Sequence, residues 1–425
     1  MACVKIIGAG LSGLAAAVAL IGKGHHVTLF EASAQAGGRC RSYHDAQLGC
    51  EIDNGNHLLL TANQAAMAYM KTLGTRDSLI GPDRAVFPFL DLQSGERWQV
   101  APNSGPIPWW VLSKNRRIPG TMPSDYMEAL RLAKASPSDK VGDCVKTYGP
   151  LWSRFWEPLT VAALNTRAED ASARLLWRVL KDSFLRGQAH CRPLIARDSL
   201  GQSLVQPALD LILRQGCEIH FNQRLKGLGF EGSNVNSLAF QTNQLTVEAT
   251  DRVVLALPPW IAGAMVPDLK TPNSNHAIVN AHIRLPHEMV ARAQKMLPAA
   301  FIGLIGGTAD WLFLRRDLVS LTVSAADTLA EEPNDRILEK LWRDTAQCLG
   351  LDLEPTPKMR LIKEKRATFS QTPESLDGRP PAATRWRNLF LAGDWTDTGY
   401  PATIESAIRS GNRAASLIAS GSFPP

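Results

Sequence analysis

An α/β fold is predicted by three features of this 425-residue sequence. The first is the N-terminal run VKIIGAGLSGLAAAVALIGKGHHVTLFEA, where an apolar strand, a glycine turn, a helix and a second apolar strand follow without interruption. The second is a middle stretch with a helix from Leu204 to Gln215, a strand from Cys217 to Phe221 and a buried strand from Arg252 to Leu257. The third is the C-terminal LFLAGD, an apolar strand closed by glycine and acid, followed by a helix from about Ala402 to Ala419. Alternation of strand and helix periodicity is the mark of this class.

Each N-terminal element has a chemical reason. Val4 to Ile7 reads as a buried strand, and Leu14 to Lys23 carries helical periodicity. In the turn between them, Gly8 allows the bend, Gly10 lets the backbone approach a pyrophosphate, and Gly13 permits close helix–strand packing. The helix N-terminus then offers unpaired N–H groups and a positive dipole end to phosphate. The strand His26 to Phe30 ends on Glu31, about 20 residues past the turn, where a carboxylate accepts hydrogen bonds from ribose hydroxyls. These parts in this order predict a dinucleotide site. A second GxGxxG, Gly227 to Gly232, lies between two strand-like runs with no helix after it and reads as a hairpin turn.

Next comes AGGRCR, residues 36–41, a glycine-rich loop whose arginines Arg39 and Arg41 suit phosphate. The stretch EIDNGNHLLL, 51–60, crowds polar side chains before an apolar run and reads as a loop facing a ligand. From about Val86 to Ala196 tryptophans become frequent and prolines break the chain into short helices. Within it, PIPWWVLSKNRRIPG (106–120) sets Trp109 and Trp110 beside Lys114, Arg116 and Arg117. That pattern fits a peripheral membrane contact, or two indoles capping a core or dimer contact. A hairpin runs on to Ala249, strands fill about 271–325 and 355–370, and a helix spans Asn334 to Leu349.

Composition bounds the remaining classes. A 45% apolar and 20% charged chain is globular. Seven scattered cysteines with no CxxC pair argue for reduced thiols in a cytoplasmic protein, and against a zinc site or disulfide framework. The first strand begins almost at once, leaving no room for a leader, and no apolar run approaches the length of a membrane span. A net charge of +6 without basic tracts gives no support to a nucleic-acid partner, while an anionic membrane surface remains open.

Taken together, GAGLSGLAAA, FEA, GGR, the IDNGNH loop and GDWTDTGYPATIESAIRSG resemble the FAD-dependent amine oxidase/carotenoid desaturase superfamily over essentially the whole chain. Within it, DNGNHLLL, EPLTVAALNT and the C-terminal stretch look most like the squalene-associated desaturases, the dehydroxylases of hydroxysqualene in hopanoid biosynthesis. The resemblance implies a Rossmann-type FAD-binding domain built from 1–85, 195–270 and 385–425, with an interleaved α+β substrate domain from 86–194 and 271–384. It further implies that Gly8, Gly10, Ser12 and Gly13 hold the pyrophosphate, Glu31 the adenosine ribose, and Gly38 and Arg39 the phosphate or ribityl oxygens. Asn54, Asn56 and His57 would line the flavin ring, and Leu225 would offer a backbone contact to adenine. Gly393 and Asp394 would meet the pyrophosphate–ribityl region, and the N–H groups of Ala402, Thr403 and Ile404 the N1–O2 edge of the flavin. A helix N-terminus suits the negative charge of a reduced flavin there.

Three reactions are compatible with that resemblance: reductive dehydroxylation of hydroxysqualene to squalene, phytoene-type carotenoid desaturation, and amine oxidation. Amine oxidases commonly place a tyrosine two residues before the glutamate of the C-terminal motif; here the glutamate is Glu405 and the position is Thr403. The DNGNH and PLTVAALNT strings favour the dehydroxylase, whose substrate is a long apolar isoprenoid. His57 is a candidate general acid for the departing hydroxyl, with Asp397 and Tyr400 as alternates; a structural histidine bonded to backbone is the competing role for His57. No separate nicotinamide motif is present, so the electron donor is either transient NAD(P)H or a redox partner.

Overall fold

The computed structural model describes residues 2–421. Five parallel strands form one sheet in the order Glu218–His220, His26–Phe30, Cys3–Ile7, Arg252–Leu255 and Leu389–Leu391. Val4 sits between Val27 and Arg252 in the register. Both faces of the sheet are covered, so its central strands are almost continuously apolar, while the edge strand Glu218–His220 is polar and exposed at both ends. Val4, Ile6, Leu29, Val254 and Phe390 pack against helices Leu11–Ile21, Gln206–Arg214 and Ile404–Ser420. The alternate residues Ile7, Phe30, Val253, Leu255, Leu389 and Leu391 pack against a three-stranded antiparallel sheet, Leu225–Glu231, Asn234–Phe240 and Gln244–Thr246. The first and last helices cross closely at Gly411, where a Cβ would lie 2.2 Å from the Ser12 carbonyl oxygen. The two ends of the chain are thereby packed into one unit.

A second sheet has seven strands in the order Lys358–Phe369, Asn275–Arg284, Leu318–Val323, Trp311–Arg315, Phe301–Ile305, Phe87–Asp91 and Arg97–Val100. Only the Phe301–Ile305/Phe87–Asp91 pair is parallel. Helix Asn334–Leu349 buries Ile337, Leu341 and Trp342 against this sheet. The short helices between Trp109 and Asp182 form a separate core with Trp98, Trp110, Trp152 and Trp156.

Several sequence expectations shift in detail. The first helix begins at Leu11, three positions early, because Gly10 itself is its N-cap. The second glycine motif is mostly strand: Gly227 and Gly229 lie within Leu225–Glu231, and only Gly232 occupies the turn. The run expected as strand over 271–325 also contains a helix, His287–Met296, which buries Ala293 in the core behind the seven-stranded sheet. The paired indoles separate: Trp110 is buried, and Trp109 stands 59% exposed.

Candidate active site

One cavity of about 860 Å³ starts at the N-terminal glycine turn and extends between the two large sheets. At the glycine turn, Gly8 holds φ at +108°, and a Cβ there would come within 2.4 Å of the Ala256 carbonyl oxygen. Gly10 has no protein atom within 4 Å of its Cβ position, so the space in front of it is open to a ligand. The helix behind it has no side-chain cap at Gly10 and no acidic residue in its first turn. Its leading N–H groups are thus left to an anion, and Ser12 lines the same space. Gly13 does not line the cavity. A Cβ there would lie 1.9 Å from the Gly8 carbonyl oxygen, so its role is packing of helix on turn, not contact with phosphate.

Glu31 is held ready by backbone. Its Oε2 accepts the Ala9 N–H (2.8 Å), and Oε1 accepts the Ser33 N–H and hydroxyl (both 2.9 Å). Gln223 donates its N–H to the Glu31 carbonyl (2.8 Å). That bond sets Leu225, at the start of the next strand, beside the same end of the cavity. Further along, Arg39 follows Gly38 and pairs with Asp394 at 2.7 Å, also donating to the Ala367 carbonyl. Asp394 is buried, whereas Arg39 keeps 44% of its side-chain surface open toward the cavity. The cation therefore stays available to a ligand phosphate while its carboxylate partner fixes its position.

The loop Asn54 to His57 and the start of the C-terminal helix face the middle of the cavity. Asn56 Nδ2 donates to Thr322 Oγ1 (3.2 Å) and to the Leu321 carbonyl (3.3 Å). Burial, with help from the Arg39 charge, pushes the His57 pKa down to about 4. The imidazole is therefore neutral at pH 7, which removes the proton expected of a general acid there. The Ala402 N–H is donated to Gln371 Oε1 (2.8 Å), so this group is bound by protein and not directed at a flavin edge. Thr403 caps its own helix through the Ser406 N–H (3.3 Å), which leaves the first-turn N–H groups at Thr403 and Ile404 facing the cavity.

Of the two alternate acids, Asp397 is exposed and outside the cavity, its carboxylate accepting the Gly399 N–H at 3.2 Å. That position takes it away from any reacting atom. Tyr400 does line the cavity. Its hydroxyl donates to Asp182 (2.5 Å) and accepts from Arg178 Nη2 (2.6 Å). Sequence reasoning passed over Arg178 and Asp182, since an Arg–Asp pair four apart on a helix looks like any solvated face. It also passed over Arg379, buried beneath the C-terminal loop, whose guanidinium donates to the carbonyls of Asp394 (3.1 Å), Thr396 (3.1 Å) and Tyr400 (2.8 Å). Asn165 ends helix Glu157–Leu164 with φ at 45° and donates to Thr368 Oγ1 (2.9 Å) at the cavity wall.

Much of the remaining lining is apolar, including Leu58, Leu60, Phe87, Phe89, Phe155, Leu159, Phe184 and Phe313. Against known proteins, the pattern of the family described as "Flavin containing amine oxidoreductase" matches residues 11–419. A protein of Zymomonas mobilis subsp. mobilis named hydroxysqualene dehydroxylase is 42% identical, the match covering 99% of this chain and 100% of the relative. One of the same name from Rhodopseudomonas palustris is 43% identical, covering 98% of each. Among solved structures, cyclohexylamine oxidase from Brevibacterium oxydans superposes with a TM-score of 0.69 at 16% identity, covering 99% of both chains. That last likeness is one of fold.

Proposed function

The chain belongs to the flavin-containing amine oxidoreductase family, and from that premise we propose that it removes the hydroxyl group of hydroxysqualene reductively, giving squalene. The observation that carries this reading is the match, over nearly the whole chain, to proteins named for that reaction. The cofactor is FAD. The residues present fit it: an uncapped helix N-terminus, open space before Gly10, a backbone-anchored carboxylate at Glu31 and a cavity-facing cation at Arg39. Gly8, Gly10, Ser12 and Arg39 would hold the pyrophosphate, Glu31 the ribose, and Asn54, Asn56, His57, Thr403 and Ile404 the flavin ring. When reduced, FAD supplies a hydride at N5.

The chain's own residues supply the setting. Phe87, Phe89, Phe155, Phe184 and Phe313 give a long hydrocarbon a continuous apolar wall and keep water from the reacting end. A neutral His57 serves as a wall of the flavin site and not as a proton source. We divide the chain into an FAD-binding unit (1–85, 195–270, 385–425) and a substrate unit (86–194, 271–384), following the two large sheets. Among the described residues no helix is long and apolar enough to cross a membrane. An apolar substrate is then collected from the bilayer surface through the exposed face around Trp109.

The test is anaerobic incubation of the pre-reduced holoprotein in detergent with hydroxysqualene, phytoene and simple amines. Squalene should form from hydroxysqualene as the flavin reoxidises. Reaction only by the oxidised protein, and only with phytoene or an amine, would replace this reading with desaturation or amine oxidation.

A further inference from the structure

Within the apolar part of the cavity stands one tightly bonded charged group, Arg178, Asp182 and Tyr400. We propose that it is the subsite that takes the hydroxyl of an isoprenoid alcohol; this deepens the dehydroxylase reading and rests on it. The setting is the first reason. Arg178 and Asp182 are on helix Ala173–Asp182 beside Val179 and Phe184, which line the same wall. Phe184 stacks on Phe87 (5.6 Å) and meets Phe155 edge-on (6.0 Å). A pure hydrocarbon makes no use of charge in such a wall, whereas an alcohol has one group that needs it.

Donor capacity is the second reason. Guanidinium carries five N–H donors. Arg178 uses Nε on Asp182 (2.8 Å) and Nη2 on Tyr400 (2.6 Å), and Nη1 has no protein acceptor among the described residues. Its side chain keeps 42% of its accessible surface. Charge-assisted donors of this kind bind a hydroxyl oxygen more strongly than neutral ones.

Rigidity is the third. Two guanidinium groups stand over the Tyr400 ring, Arg178 at 4.3 Å and Arg409 at 4.0 Å from its centroid. Arg409 is anchored by buried Glu405 (2.7 Å), and Arg379 holds the Tyr400 carbonyl (2.8 Å). A solvated helix pair would not have its third member brought in from a loop 218 residues away. The subsite also sets the order of affinities, because the product lacks the group that the subsite binds. Hydroxysqualene is thus held more tightly than squalene, which favours product release.

The experiment uses oxidised holoprotein, which has no hydride to give, titrated in detergent with hydroxysqualene and with squalene while the flavin spectrum is followed. Wild type should bind the alcohol about tenfold or more tightly than the hydrocarbon. Arg178→Met and Tyr400→Phe should each weaken alcohol binding about tenfold, with squalene affinity and FAD content unchanged. Equal binding of both ligands by wild type would overturn the proposal, as would variants that weaken both ligands alike. Tyr400→Phe, which removes one oxygen only, carries the test if Arg178→Met does not fold. Single turnover of the pre-reduced protein separates the two inferences. Squalene formed equally by wild type and variants would overturn the subsite and leave the reaction. Discrimination between the ligands without squalene formation would overturn the reaction and leave the subsite.

Discussion

Gly10 and Gly13 are three residues apart in one motif, yet different forces hold them. At Gly10 the backbone is unstrained (φ −72°) and nothing in the protein occupies the Cβ position; only a ligand would. Gly10→Val should therefore leave the apo fold intact by circular dichroism and thermal melting while lowering bound FAD by about tenfold or more. At Gly13 the added carbon would overlap the turn itself. Gly13→Ala should cost about 1–3 kcal/mol of stability even without cofactor, read as a lower urea midpoint. A second residue-level consequence concerns pH. Burial pushes both His57 and His282 down to about 4. His282 bridges Ser320 Oγ (2.8 Å) and the Asp53 carbonyl (2.9 Å), so its Nε2 carries the proton donated to that carbonyl. Above pH 6.5 neither histidine makes stability depend on pH. As pH falls from about 6.5 toward 4, the unfolded chain takes up protons that the folded chain refuses, costing up to about 1.4 kcal/mol per pH unit for each ring. Melting temperature should fall over that window, and His57→Gln, at matched FAD content, should flatten the slope. An unchanged slope would show that His57 is not held neutral by the fold.

At the scale of elements, the C-terminal loop from Gly393 to Ala402 is irregular but not loose. Arg379 binds its carbonyls at three points, and the Thr398 hydroxyl joins Ser406 (2.6 Å). Arg379→Met would leave several buried carbonyls without a donor, costing about 3 kcal/mol or more. It should also release FAD, because Asp394 sits on that loop. Arg379→Lys should restore little, since one ammonium cannot span three carbonyls. Stable variants with full FAD would show that the loop holds itself. This element also marks what the sequence makes legible. The central strands Cys3–Ile7, Arg252–Leu255 and Leu389–Leu391 could be read because a strand buried on both faces is nearly continuously apolar, and the cradle because glycine, helix start and acid fall at fixed spacing. Helix Asn334–Leu349 matched its expected ends because its apolar stripe is regular. Arg379 and the tie of Arg178 and Asp182 to Tyr400 could not be read, since their meaning lies in partners brought together by the fold from distant stretches. Ala402 went astray for the same reason: Gln371, far from the motif in sequence, takes its N–H.

For the whole molecule, the question is how a water-insoluble substrate reaches a cavity between two sheets. The exposed large apolar side chains gather largely in one stretch: Ile107, Trp109, Leu112, Met122, Met127 and Leu130 are each more than half exposed. Lys114 and Arg131 are exposed on the same short segments. Trp110, buried behind this face, packs on Tyr126 (5.4 Å) and Phe155 (6.4 Å), and Phe155 lines the cavity. Trp110 and Phe155 thus link the exposed segment to the substrate wall. Each apolar side chain moved into a bilayer contributes about 1.5–3 kcal/mol, and the basic residues add attraction to anionic lipid that salt screens. The protein should co-sediment with phosphatidylglycerol vesicles more than with phosphatidylcholine vesicles, and less as salt is raised. Trp109→Ser combined with Leu112→Ser should reduce vesicle binding about tenfold or more with no change in melting temperature. Trp110→Ser should instead lower the melting temperature, because it opens a cavity in the core. If the double variant binds vesicles as wild type does, the face around Trp109 is not the membrane contact and the route to the cavity lies elsewhere on the surface.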